Sequence, residues 1–152
     1  MQNQFRHHIG TTYVATQGDC ITGFITVPSG EMMAEELPKA LRGRLPAYPL
    51  PILRIARLAV DERFQGHRIG RLLLRAMLEL ALEMRDRAGC TGVVVDAKSD
   101  AVDFYSGLGF KVIGLVSGAL GDRPEPKAMF LPIREIAVAV DEGGELVVKG
   151  QE

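Results

Sequence analysis

Apolar and polar positions along this chain follow two rhythms, and each predicts a kind of element. Between Thr11 and Val27 the β-branched and apolar residues form two short runs, Thr11–Thr16 and Cys20–Val27, around Gln17-Gly18-Asp19. That spacing predicts an antiparallel hairpin, ended by Pro28-Ser29-Gly30. Residues 31–41 have helical composition, but Pro38 breaks any helix there. Arg42–Pro51 carries three prolines and a glycine and reads as a loop. Ile52–Val60 is predicted as a single strand. From Ile69 to about Arg87 the period changes. Leu73, Met77, Leu80, Ala81 and Met84 recur at three- and four-residue steps, with Arg71, Arg75, Glu79, Glu83 and Asp86 away from them. This is an amphipathic helix with Gly89 as its stop.

Thr91–Ala97 is apolar on both alternations, as a buried central strand is. Strand, helix and strand in that order favour a parallel crossover. Ser99 and Asp100 offer caps for a helix through Ala101, ended by Gly107 and Gly109. Phe110–Val116 and Lys127–Ile133 read as strands around a loop, Ser117–Pro126. Residues 1–9 read as the last turns of a helix stopped at Gly10. Beyond Glu135, two apolar runs flank Asp141-Glu142-Gly143-Gly144. They predict an extra β-hairpin, with a disordered acidic tail as the alternative. The elements together predict an α/β (α+β) fold, a mixed central sheet flanked by helices. One domain covers residues 1–134, and 135–152 form an extension.

Composition narrows the function classes. At 152 residues with net charge −1, the chain has enough length for one core and no overall pull toward nucleic acid or anionic membrane. Arginine is concentrated between Arg42 and Arg87. The two cysteines, Cys20 and Cys90, stand in no C-x-x-C pair, so free thiols in a reducing cytoplasm are expected. His7, His8 and His67 have no partners at zinc spacing, so no metal is expected. The first residues lack an apolar signal core, and no apolar run is long enough to span a membrane.

The chemistry concentrates after the strand ending Leu58-Ala59-Val60. Gln65-Gly66-His67-Arg68-Ile69-Gly70 is a glycine-bearing turn that opens the long helix. Unpaired amides and the positive end of the helix dipole make such a turn a phosphate site. No Gly-Lys-Ser/Thr comes after it and G-x-G-x-x-G is absent, so the nucleotide-triphosphate and dinucleotide loops do not fit. Downstream of the apolar strand lies Ala101-Val102-Asp103-Phe104-Tyr105-Ser106-Gly107-Leu108-Gly109-Phe110.

Both motifs resemble the GNAT superfamily of N-acetyltransferases. The first is similar to its pyrophosphate loop, Gln/Arg-x-x-Gly-x-Gly/Ala. The second is similar to its Ala-x-x-Phe/Leu-Tyr-x-x-x-Gly-Phe helix and turn. The resemblance runs from about Thr11 to Ile133. Arg68 stands where the loop usually has glycine, which is tolerable if its φ is negative. The string from Tyr48 to Ala81 further resembles the acetyltransferase toxins of bacterial toxin–antitoxin modules, which acetylate the α-amine of aminoacyl-tRNA. Against them, this chain starts inside the second helix, without the first strand and helix. A partner subunit, as in a homodimer, or the C-terminal hairpin could then cover the open sheet edge.

The resemblance implies an acetyl-CoA-dependent N-acetyltransferase acting on a primary amine by direct attack in a ternary complex, with no metal. Leu58, Ala59 and Val60 would pair with the pantetheine arm. Gln65, Gly66, His67, Arg68, Ile69, Gly70 and Arg71 would take the pyrophosphate, with Arg63, Arg68 or Arg71 adding charge. Tyr105 aligns with the acid that protonates the departing thiolate; the alternative is a core tyrosine bonded to backbone. No general base stands out, although Glu31, Glu35 and Glu36 lie on the expected acceptor side. Arg57, Arg54 and Arg44, with Arg42, are read as an anionic acceptor site or as solvated surface, and the proline-rich loop is expected beside that site. The acceptor stays open between a small amine and aminoacyl-tRNA. An antitoxin partner goes with the second, and a non-catalytic CoA-binding module is the rival of another class.

Overall fold

The computed structural model describes residues 12–115 and 126–136. The first two runs form the expected hairpin, β1 (Thr12–Gln17) and β2 (Cys20–Thr26), antiparallel with Gln17 opposite Cys20. The chain then departs from expectation. Ser29–Met32 is a third strand, β3, where a turn and a helical stretch were predicted. It lies antiparallel to β4 (Leu50–Ile55), and that ladder outweighs the local helical preference of its residues. Pro38 does break the helical stretch beyond β3, leaving a 3-10 turn at Ala34–Glu36 and a short α1 at Lys39–Arg42.

The single strand predicted over Ile52–Val60 is two. Ala56 interrupts it, and β5 (Arg57–Val60) continues in a different sheet from β4. The long helix α2 runs over Ile69–Arg87 as its periodicity requires. After it come β6 (Gly92–Ala97), α3 (Val102–Gly107), β7 (Lys111–Leu115) and β8 (Lys127–Pro132). The residue preceding α3 is Ala101, with no side-chain cap, so Ser99 and Asp100 do not supply the predicted one.

One sheet has the order β1-β2-β5 and the other β3-β4-β6-β8-β7. The β4–β6 pair is parallel, with Leu53 opposite Val93, and its neighbours are antiparallel. The sheets run into one another through Ala56 N–H to Thr26 O (2.9 Å) and Arg54 N–H to Pro28 O (3.1 Å). Core residues lie on both faces of the larger sheet. Leu53, Ile55, Val93 and Val95 pack with Leu73, Leu74, Met77 and Leu78 of α2. Leu50, Ile52, Val94 and Phe130 pack with Met32 and Leu37 on the other face. Each fully buried aliphatic side chain contributes about 2 kcal/mol. Of the expected helical stripe, Leu73, Met77 and Ala81 are buried, and Leu80 and Met84 are half-buried.

The predicted helix end at residues 1–9, nearly all of the loop after Val116 and nearly all of the C-terminal hairpin fall outside the described residues. Ile136, where the hairpin was expected to start, instead sits in a helical turn over 133–136 and is buried in the main core.

Candidate active site

The site begins where a strand pair stops. β4 and β6 stay paired to Ile55 opposite Val95. Two residues later, past Ala56, β5 begins and pairs with β2, from Thr26 opposite Arg57 to Gly23 opposite Val60. A cleft of about 460 Å³ fills the resulting wedge, lined among others by Ile55, Leu58, Ala59, Asp96, Lys98 and Tyr105. Just past β5, the Asp61 N–H donates to Thr22 O at 2.8 Å. Amides of an antiparallel edge alternate in direction, so those of Ala59 and Arg57 also face β2. The N–H groups of Leu58 and Val60 are left toward the cleft, an open ladder for an extended ligand. Gly23 permits this placement of β5. A Cβ there would stand 2.8 Å from Ala59 O and within 3.2 Å of Leu73 and Ile69.

Asp61 shapes the next turn. Its carboxylate accepts the Arg63 N–H at 2.9 Å and holds the Arg63 guanidinium at 3.1–3.2 Å, which keeps its pKa below the usual carboxylate range. The same guanidinium lies 5.6 Å from the Phe64 ring centre. Arg63 is therefore engaged locally, away from the phosphate role considered for it. Gln65 Nε2 donates to Val60 O at 3.3 Å, tying the turn to β5. Gly66 has φ +85°. Arg68 has φ +62° and ψ 23°, so the negative φ on which its tolerance was conditioned is not what the chain adopts. A non-glycine residue in this left-handed region costs about 1 kcal/mol.

Arg68 precedes α2 without a side-chain cap, and the first turn of α2 has no acidic residue. The first-turn amides at Ile69, Gly70 and Arg71 thus open onto a cavity of about 290 Å³ that Gln65, Gly66, Arg68 and Arg71 also line. Ile69 itself is buried, so it offers only backbone. His67 is exposed and offers its amide to Phe64 O at 3.3 Å.

Tyr105 comes from α3 and lines the wedge. It is buried, with Phe104 and Phe110 edge-on at 5.1 and 5.4 Å between ring centres. Burial pushes its pKa up to about 12, so the phenol stays protonated at neutral pH. No described residue hydrogen-bonds its hydroxyl, unlike a core tyrosine tied to backbone. The other candidates separate. Arg57 is exposed and lines the cleft. Arg54 is half-buried and pairs with Asp96. Arg44 lies in a groove with Cys90, Thr91 and Pro132, where β6 begins. That is the opposite end of β6, about 17–20 Å from the wedge. The proline-rich loop leads into Leu50 at this same far end, which overturns its placement beside the acceptor. Glu31 stands opposite Pro51, also toward that end, and Glu36 accepts the Met33 N–H at 2.6 Å.

Sequence reasoning missed Asp96 and Lys98, which the fold brings into the wedge. The one available signal was a polar residue closing the run Val93-Val94-Val95.

The family model described as an acetyltransferase (GNAT) domain matches residues 8–112. The tRNA-acetylating toxin of Mycobacterium tuberculosis (strain ATCC 25618 / H37Rv) is 30% identical over 101 residues, 66% of this chain and 60% of that protein. The chain thus spans less than two thirds of that relative. A structure described as a bacterial toxin aligns with TM-score 0.72 at 24% identity, covering 81% of this chain and 66% of the other. AtaT complexed with acetyl-methionyl-tRNAfMet aligns with TM-score 0.69 at 23% identity, covering 84% and 73%. AtaTR bound with AcCoA gives 0.64 at 23%, covering 84% and 72%. At these identities the structural likeness establishes the fold.

Proposed function

The chain belongs to the GNAT acetyltransferase domain family, and on that premise we propose that it transfers an acetyl group from acetyl-CoA to a primary amine by direct attack. The observation that carries this reading is the end of β4–β6 pairing at Ile55 and Val95, beside a free run of β5 and an uncapped helix start. Pantetheine pairs with the Leu58 and Val60 amides, and the pyrophosphate sits on the amides from Ile69 to Arg71. The amine nitrogen attacks the thioester carbonyl. A C–N bond forms, the C–S bond breaks, the Tyr105 proton passes to the thiolate, the extra proton on nitrogen leaves to water, and water returns a proton to Tyr105. Products are the acetylated amine and free CoA.

Aminoacyl-tRNA is the acceptor class favoured among primary amines. Arg57 and Lys98 line the wedge and make no ion pair with a described residue, a cationic mouth suited to an RNA end. The relative named as a tRNA-acetylating toxin supports the same class. On this reading the protein works in the cytoplasm, where tRNA is charged and its two thiols stay reduced, and an antitoxin is its natural partner. AtaT, a fold relative, has been solved with the C-terminus of the antitoxin AtaR.

Radiolabelled acetyl-CoA, offered with charged tRNA and with a panel of small amines, tests both levels. Label on charged tRNA alone supports the toxin-type acceptor, and label on small amines alone removes it. Binding of acetyl-CoA without transfer to either class would replace an enzyme with a CoA-binding module.

A further inference from the structure

We propose that the Asp96 carboxylate, held by Arg54, is the docking point of the acceptor amine and accepts one of its N–H groups on the face of the sheet opposite Tyr105. The proposal rests on the cleft being the thioester site. Side chains alternate along a strand. On β6, Val93, Val95 and Ala97 pack with α2, whereas Val94 packs on the other face. On β4, Leu53 and Ile55 share the α2 face, and Leu50 and Ile52 the other. Asp96 and Arg54 therefore both stand on the face away from α2. Asp96 is the first residue of β6 past the last β4 pair and lines the wedge.

The ion pair leaves capacity unused. A single nitrogen, Arg54 Nη1, reaches both carboxylate oxygens, at 3.1 Å to Oδ1 and 3.3 Å to Oδ2. Each oxygen keeps a lone pair for another donor. The two side chains are 37% and 33% exposed, so solvent screens the pair and it adds little to stability. The Asp96 oxygens, turned to the wedge, accept an N–H and so orient the nitrogen. Arg57 and Lys98, the other charged residues of the wedge, disfavour a bound ammonium. The neutral amine, which reacts, has two N–H groups to offer. Nitrogen arrives over Asp96 on one face, and sulfur departs toward Tyr105 on the other. Arg54 acts as a positioning residue through Asp96.

Two CoA thioethers test this without knowledge of the acceptor. CoA–S–CH2–CO–NH–CH3 carries one N–H near where the acceptor nitrogen stands, and CoA–S–CH2–CO–N(CH3)2 carries none. Calorimetry on the full chain should find the first bound about tenfold more tightly. Asp96→Ala should erase that ratio, and Asp96→Asn, which keeps one oxygen, should retain about threefold. A merely structural role would weaken both ligands alike and leave the ratio intact. Equal affinity in the native protein, or a ratio that survives Asp96→Ala, overturns the docking point while the cofactor site stands. Binding of neither compound overturns the cofactor site as well.

Discussion

β4 and β5 read as one apolar run, yet they do opposite things. β4 is paired on both sides, by β3 and β6, and its Ile52, Leu53 and Ile55 are buried at 0–2% exposure. Among the described residues β5 is paired on one side, by β2, and its residues alternate between exposed and half-buried. One half of the run holds the fold, and on the proposed function the other half receives the pantetheine arm. The change of partner comes at a single interruption, Ala56.

The contrast can be broken at either half. Ile55→Ala should cost about 3 kcal/mol of folding stability, read by denaturant unfolding, because the side chain is fully enclosed by the α2 core. Its folded fraction should still bind acetyl-CoA. Tyr105→Phe should leave acetyl-CoA affinity unchanged and cut turnover about a hundredfold. The raised phenol pKa adds a pH signature. With the folded value at about 12 and the unfolded one near 10, neutral Tyr105 supports the fold fully below pH 10. That support is lost as pH rises from 10 through 12, about 2–3 kcal/mol in all. Alkaline unfolding monitored by circular dichroism should begin later in Tyr105→Phe. Turnover should show no loss of the acid below about pH 10.

The two strands also mark what the sequence could disclose. The amphipathic period of Ile69–Arg87 and the apolar run of β6 identified the helix and strand that frame the site, because both patterns are local. The kink at Ala56 was not legible. Arg54–Val60 holds no proline or glycine, and the break arises from β2 competing with β6 for the strand. β3 was hidden for a related reason, since its partner lies beyond a proline-rich loop. Tyr105 and the turn at Gln65–Gly70 were found through motifs. Asp96 was not, because its place in the wedge depends on where β4 stops. The grouping of Arg44 with Arg54 and Arg57 failed because sequence proximity says nothing about which end of a strand a loop reaches.

Two smaller changes sharpen the contrast. Leu58→Pro removes an N–H that faces the cleft and spares the β2 ladder. It should weaken acetyl-CoA binding about tenfold by calorimetry and shift thermal unfolding little. Arg68→Gly relieves the left-handed strain before α2 and should raise stability by about 0.5–1 kcal/mol. Calorimetry then shows whether the guanidinium contributes to phosphate binding.

Residue-resolved amide hydrogen exchange, with and without acetyl-CoA, reads the open edge itself. The amides of Leu58, Val60, Gly70 and Arg71 should exchange readily in the free protein and slow on binding, while Leu53 and Ile55 stay protected throughout. Protection of Leu58 and Val60 before any ligand is added, or slowing confined to residues elsewhere, would contradict the open-edge reading of β5.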